Sequence, residues 1–219
     1  RQESLADFPG YFKADSNGDI VLTMWLSQTP NDDELTAAAQ LAYWIGQNNT
    51  GNIIWKVLNG ANADIDKDSG TVIITGQNSV LMEKNALNGN LPISITADGT
   101  IKTSEWVSIA AEAVNQKNIF QVGHKGNHTI YSFTYANIEN MRSFMLLAFV
   151  NGTNLNGRVA LIDANGQTLT FAEEVQHQDT SFSKFFRNFA GNNLGSYVAV
   201  IAVVVGGTLA MMWYSKHRK

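Results

Sequence analysis

Apolar residues recur along this chain in short runs whose period changes from segment to segment. DIVLTMWLS (Asp19–Ser27) is a brief apolar run rich in β-branched and aromatic residues, which predicts a strand. The period then lengthens. In TPNDDELTAAAQLAYWIG, Leu35, Ala38, Ala39, Ala42 and Ile45 fall on one helical face. Thr29 is placed to cap that helix and Pro30 suits its first turn. Asp32, Asp33 and Glu34 complement the positive end of the helix dipole, which accounts for this acidic cluster, and Gly46 is placed to end the helix. NIIWKVLNG returns to a β pattern and reads as a second, buried strand. Strand, helix and strand in succession predict a small α/β unit.

Further along, the pattern is dominated by β signals. GTVIITG predicts a strand, and LPISITADGTIKT predicts two short strands about an Asp98-Gly99 turn. SEWVSIAAEAVNQKN fits two periods. Trp106, Ile109, Ala110, Ala113 and Val114 suit a helix, while Val107, Ile109, Ala111 and Ala113 suit a strand; helix is the preferred reading. HTIYSFTYA, RSFMLLAFV, GRVALIDA and QTLTFAEE read as four strands, with a tight hairpin at Asn165-Gly166. The unbroken apolar run in SFMLLAFV predicts a strand buried on both faces. The expected fold is α+β. Residues 1–103 form a small α/β N-terminal unit, and residues 104–178 form a β-sandwich-like or meander unit.

The last segments change character. Phe182, Phe185, Phe186 and Phe189 share one helical face, with Lys184 and Arg187 on others. Residues 179–195 are therefore expected to form an interfacial amphipathic helix and a joint. From Tyr197 to Tyr214 there is no charge. As a helix this run would extend about 27 Å, close to the apolar thickness of a bilayer. Residues 196–215 are thus the expected transmembrane helix, with Trp213 and Tyr214 at one membrane interface. Residues 216–219 form a basic tail. Lys216, Arg218 and Lys219 place it in the cytoplasm by the positive-inside rule, with the N-terminal bulk outside. Within the span, Ala202, Gly206 and Ala210 repeat every fourth residue. That spacing puts small residues on one face, where a second helix can pack closely.

Composition narrows the function classes. A net charge of −4 over 219 residues leaves no basic stripe for nucleic acid. The absence of cysteine removes thiol nucleophiles, thiolate metal sites and disulfides together. No phosphate-binding glycine loop or nucleophile elbow is present. The chain is expected to be non-catalytic and to need no cofactor, with calcium as the one exception to weigh. Asp64, Asp66 and Asp68 alternate as the first ligands of a calcium loop do. Ser69 and Thr75 stand where that loop has Gly and Glu, so a polar hairpin turn is the alternative. DSNGD (Asp15–Asp19) has the same two readings. His124 and His128 are four apart, but GHKGNHT reads as a loop, without a helical metal pair. Trp25, Trp44, Trp55 and Trp106 read as core or interface packing. Asn48, Asn127 and Asn151 head three N-glycosylation sequons, each in an expected turn.

One resemblance can be added. Asp7-Phe8-Pro9, Phe12, the strand Ile20–Leu26 and the helix Asp33–Ile45 with Ala37, Ala38, Ala39 and Ala42 follow one another. In that order they resemble the opening segment of archaeal S-layer proteins. The resemblance covers about a fifth of the chain. The family's Val-Val-Gly after the strand is replaced by MWLSQT. The resemblance implies a glycosylated archaeal envelope protein with mixed α/β and β-sandwich parts that associates with its own copies. Membrane lipid and protein partners, or a homo-oligomer, are the expected partners.

Overall fold

A seven-stranded mixed sheet organises the described residues. The structure, a computed structural model, describes residues 4–10, 12–60, 70–84, 90–104, 109, 111–151 and 155–171. All of these lie in one unit, residues 1–173. The expected interfacial and transmembrane helices and the basic tail lie outside the described residues.

After a short 3-10 turn at Leu5–Asp7 come β1 (Asp19–Leu26), α1 (Asp32–Asn48), β2 (Asn52–Asn59) and β3 (Thr71–Gln77). Next are α2 (Val80–Glu83), β4 (Ile93–Ile95), β5 (Ile101–Thr103) and α3 (Ala111–Val114). The chain continues through β6 (Asn118–Lys125), β7 (His128–Tyr135), α4 (Ile138–Asn151), β8 (Val159–Ile162) and β9 (Thr168–Phe171). The large sheet runs β2-β1-β3-β7-β6-β8-β9, and β4-β5 is a separate antiparallel hairpin. Four neighbours, β2-β1-β3-β7, are parallel. From β7 onward, β7-β6-β8-β9 are antiparallel.

Period-two alternation sorts each central strand between two cores. Leu22, Met24, Ile73, Phe120, Phe133 and Ala160 face one side, where α1 contributes Ala38, Leu41 and Ile45, and α4 contributes Met141, Phe144 and Met145. Trp25, Val72, Ile74, Ile119, Ile130 and Leu161 face the other. That second core is closed by Val80 and Leu81 of α2, by Ile93 and Ile95 of β4, and by Val114 of α3. The β4 segment is locked onto the sheet by Gln121. Its amide accepts from Ile93 N–H at 2.7 Å and donates to Ile93 O at 2.9 Å. Gly123 permits this approach, because a Cβ there would lie 2.0 Å from Asn90 O.

Several sequence expectations change. The α/β unit and the expected sandwich-like or meander unit join as one sheet, through seven parallel Cα pairs between β3 and β7, from Thr71↔Thr129 to Gln77↔Tyr135. RSFMLLAFV is not a strand but most of α4. Met141, Phe144 and Met145 are buried at helical spacing, and Asn137 Oδ1 accepts from Asn140 N–H at the helix start. An unbroken apolar run satisfies both periods, so the sequence could not choose between them. Among the described residues NIIWKVLNG is an edge strand, only half-covered, instead of a buried one. Asn31 caps α1 in place of Thr29, and the helix runs through Gly46 to Asn48. His124 and His128 stand on β6 and β7 beside a two-residue turn, Gly126-Asn127, where a loop was expected. Of SEWVSIAAEAVNQKN, the described helix is Ala111–Val114, and β6 begins at Asn118.

Candidate functional site

In an open sheet, parallel strands place a crevice beyond their carboxyl ends where connections diverge to opposite sides. β1 is such a point, since β2 lies on one side of it and β3 on the other. A crevice of about 170 Å³ opens there, lined by Ser27, Asn31, Glu34, Gln77, Ser79 and Glu83 among others.

Glu34 is its central group. The residue is only 4% exposed. It accepts from Ser27 N–H and from Ser27 Oγ–H, each at 2.6 Å. Its own N–H donates to Asn31 Oδ1 at 2.8 Å, so Asn31 and Glu34 are the first and last residues of a capping pattern. The acid reaches across to the loop after β1 instead of back to the cap. Gly76 gives it room. A Cβ at this position would lie 3.1 Å from Glu34 Oε1, and the φ of 142° disfavours any side chain.

Lys84 lies beneath, 1% exposed. Its ammonium donates to Leu26 O at 2.9 Å and to Gly60 O at 3.1 Å, the carbonyls that end β1 and follow β2. It stands 4.8 Å from the Trp25 ring and 3.7 Å from Glu83 Oε2. Burial lowers its pKa, and the charges of Glu83 and Glu34 oppose that. Trp25 Nε1–H also donates to Gly60 O, at 2.8 Å. Lysine and tryptophan therefore tie together two parallel strand ends that no hairpin can join. Tyr135 completes the neighbourhood at the end of β7. Its hydroxyl is buried with no hydrogen-bond partner among the described residues. Burial, helped by the charges of Glu34 and Asp33, pushes its pKa up to about 12, with Arg142 opposing.

This geometry braces the strand ends. Ser27 is committed as a donor to a carboxylate. His124 and His128 lie at the opposite end of the β3–β7 pair, roughly 20 Å away along the strands. Among the described residues no cluster of three His, Cys, Asp or Glu could hold a metal ion. Asp64, Asp66 and Asp68 lie outside the described residues. Asp15 is a turn residue: its Oδ1 accepts from Asn17 N–H at 2.8 Å and Asp19 N–H at 3.0 Å. Trp25 is core, Trp44 packs on Phe8, Trp55 is half-buried on β2, and Trp106 is outside the described residues.

The sequon asparagines are placed differently from one another. Asn127 is exposed in the β6–β7 turn. Asn48 is exposed at the last residue of α1, beside a hollow of about 490 Å³ lined by Ala6–Gly10 and Asn48–Thr50. Asn151 is the last residue of α4, not a turn residue. Ala202, Gly206, Ala210, Phe182, Phe185, Phe186, Phe189, Trp213 and Tyr214 are outside the described residues. The sequence reading missed Glu34 as more than a dipole partner, and missed Lys84, Gly76 and Tyr135. Only the Asn31-x-x-Glu34 spacing carried a signal.

Comparison with protein-family models and with curated proteins finds no match for the chain. Function is therefore read from the residues themselves.

Proposed function

We propose that this chain is a single-span cell-envelope protein whose external domain is non-catalytic and serves self-assembly or protein binding, in the manner of S-layer or S-layer-associated proteins. One observation carries the reading. Tyr197–Tyr214 holds no charge, is long enough to cross a bilayer as a helix, and is followed by Lys216, Arg218 and Lys219. The sequons at Asn48 and Asn127, both exposed, and at Asn151 agree with an external location. The N-terminal resemblance to archaeal S-layer proteins agrees with it as well. In this reading the anchor holds the domain at the membrane, and its sheet and helix surfaces make the contacts.

A second reading is favoured by Ala202, Gly206 and Ala210. It is an accessory subunit that docks its span against another membrane protein through that small-residue face. Alkaline carbonate extraction of membranes tests the anchor. The full chain is expected in the membrane pellet, with its N-terminal domain open to protease added outside. Release into the supernatant would overturn the proposal. Co-purification with a stoichiometric multi-span partner in mild detergent would select the accessory reading.

A further inference from the structure

We propose that β2 is the seam of a homodimer, in which two copies pair their β2 strands antiparallel and continue the sheet from one chain into the other. This names the partner of the external domain and rests on the anchored reading, since a tethered domain meets its own copies at high effective concentration.

The two edges of the sheet differ. Folded proteins blunt an open edge with shortness, proline, bulges or charge. β9 is blunt, with four residues, two of them threonine. β2 has eight residues in unbroken register with β1, no proline and one charge, Lys56. Among the described residues no strand pairs with its outer side. Ile54 is 39% exposed and Val57 60% exposed along it.

Symmetry then limits the register. A two-fold axis that continues a sheet across an antiparallel edge stands perpendicular to the sheet and keeps each face on its own side. Opposed residues must therefore share a face, and the central residue meets its own copy. Centring on Lys56 would set two ammonium groups against each other, which is unfavourable. Centring on Trp55 sets Trp55 against the partner's Trp55, and Ile53 against the partner's Val57 on both sides. This makes a continuous apolar row on the face where Ile53 and Trp55 already pack beside the α1 core. Lys56 then lies opposite the partner's Ile54. The strand is self-complementary in that register, which favours a second copy over an unrelated extended peptide.

The chain has no cysteine, so single replacements report without background. The full chain in detergent micelles is mixed as Ile53→Cys and Val57→Cys variants and treated with a mild oxidant. Directly opposed Cβ atoms come within disulfide reach, about 4.5–5.5 Å before adjustment. The mixture is expected to give a disulfide dimer. Val57→Cys alone is not, because residue 57 and its copy would lie about 13 Å apart along the strands. Cross-linking of Lys56→Cys alone would overturn the register. A mixture that cross-links no better than Leu169→Cys on the other edge would overturn the seam. Without cysteines, Val57→Lys is expected to weaken dimerisation at least tenfold by sedimentation, and Leu169→Lys to leave it unchanged. Equal effects of the two, or capture of a different protein's strand on β2, would also overturn it. A monomer that still pellets with carbonate-washed membranes sinks the seam and spares the anchor. A chain that cross-links as expected but is released by carbonate does the reverse.

Discussion

The parallel and antiparallel halves of the sheet hold their strand ends by different means. In the antiparallel half, β6–β7 and β8–β9 meet through short turns, with α4 between β7 and β8, and local groups suffice at those turns. Asp163 Oδ1 accepts from Asn165 N–H at 2.8 Å and Gln167 N–H at 2.9 Å, closing the β8–β9 connection. In the parallel half, strands end side by side with no turn between them. Their ends are held by buried side chains: Glu34 holds Ser27 from the start of the next helix, and Lys84 and Trp25 reach the strand-end carbonyls from farther along the chain. Buried charge thus collects where backbone connectivity cannot do the work, and a buried polar cluster at strand ends is explained without a substrate.

Substitutions can break that contrast, beginning with the largest expected effect. Glu34→Ala removes two hydrogen bonds to a buried carboxylate and leaves Ser27 N–H without its acceptor. It is expected to destabilise the fold by about 3 kcal/mol in urea unfolding. Gly123→Ala forces the β4 segment away from the antiparallel half, where Asn90 O lies 2.0 Å from the new Cβ. A cost of about 2 kcal/mol is expected, because backbone and not a flexible side chain must move. Asp163→Ala disturbs only an exposed local turn, and about 1 kcal/mol is expected. If Asp163→Ala costs as much as Glu34→Ala, the contrast between buried and exposed bracing fails.

The smallest effect at neutral pH is expected from Tyr135→Phe, which removes a hydroxyl with no partner among the described residues. Its consequence lies in alkali. The folded chain keeps this proton up to about 12, whereas the ordinary value is 10.0. Between those values the unfolded chain binds fewer protons. Tyr135 therefore contributes stability that is full below pH 10 and is lost as pH rises toward about 12. Tyr135→Phe is expected to flatten that part of the stability–pH curve, measured by urea midpoints. An unchanged slope would mean that the hydroxyl reaches solvent.

Legibility followed the clarity of the local pattern, not the divide between parallel and antiparallel halves. β1, α1, β3 and the β4–β5 hairpin were readable because their periods or turn residues were unambiguous. The Asp98-Gly99 turn falls between β4 and β5 as expected. The acidic residues Asp32, Asp33 and Glu34 do open α1. RSFMLLAFV was misread because an apolar run without polar punctuation fits a buried strand as well as a helix. Only its packing on Phe120 fixed the choice, with the Phe144 ring 5.5 Å from it. Lys84 could not have been read at all. A lone lysine after a four-residue helix signals a solvated surface, and only the convergence of β1, β2 and α2 buries it.

By itself the sequence determined local periods, turn chemistry and the uncharged run from Tyr197 to Tyr214, since each of these is a property of neighbours along the chain. Tertiary structure decided which strands share a sheet, which strand is left at the edge, and that Glu34 and Lys84 meet at the strand ends. These are properties of residues brought together from distant positions. A strand carries no mark of its neighbour beyond the faces it offers, so β2 became an edge only when β3 took the place on the far side of β1.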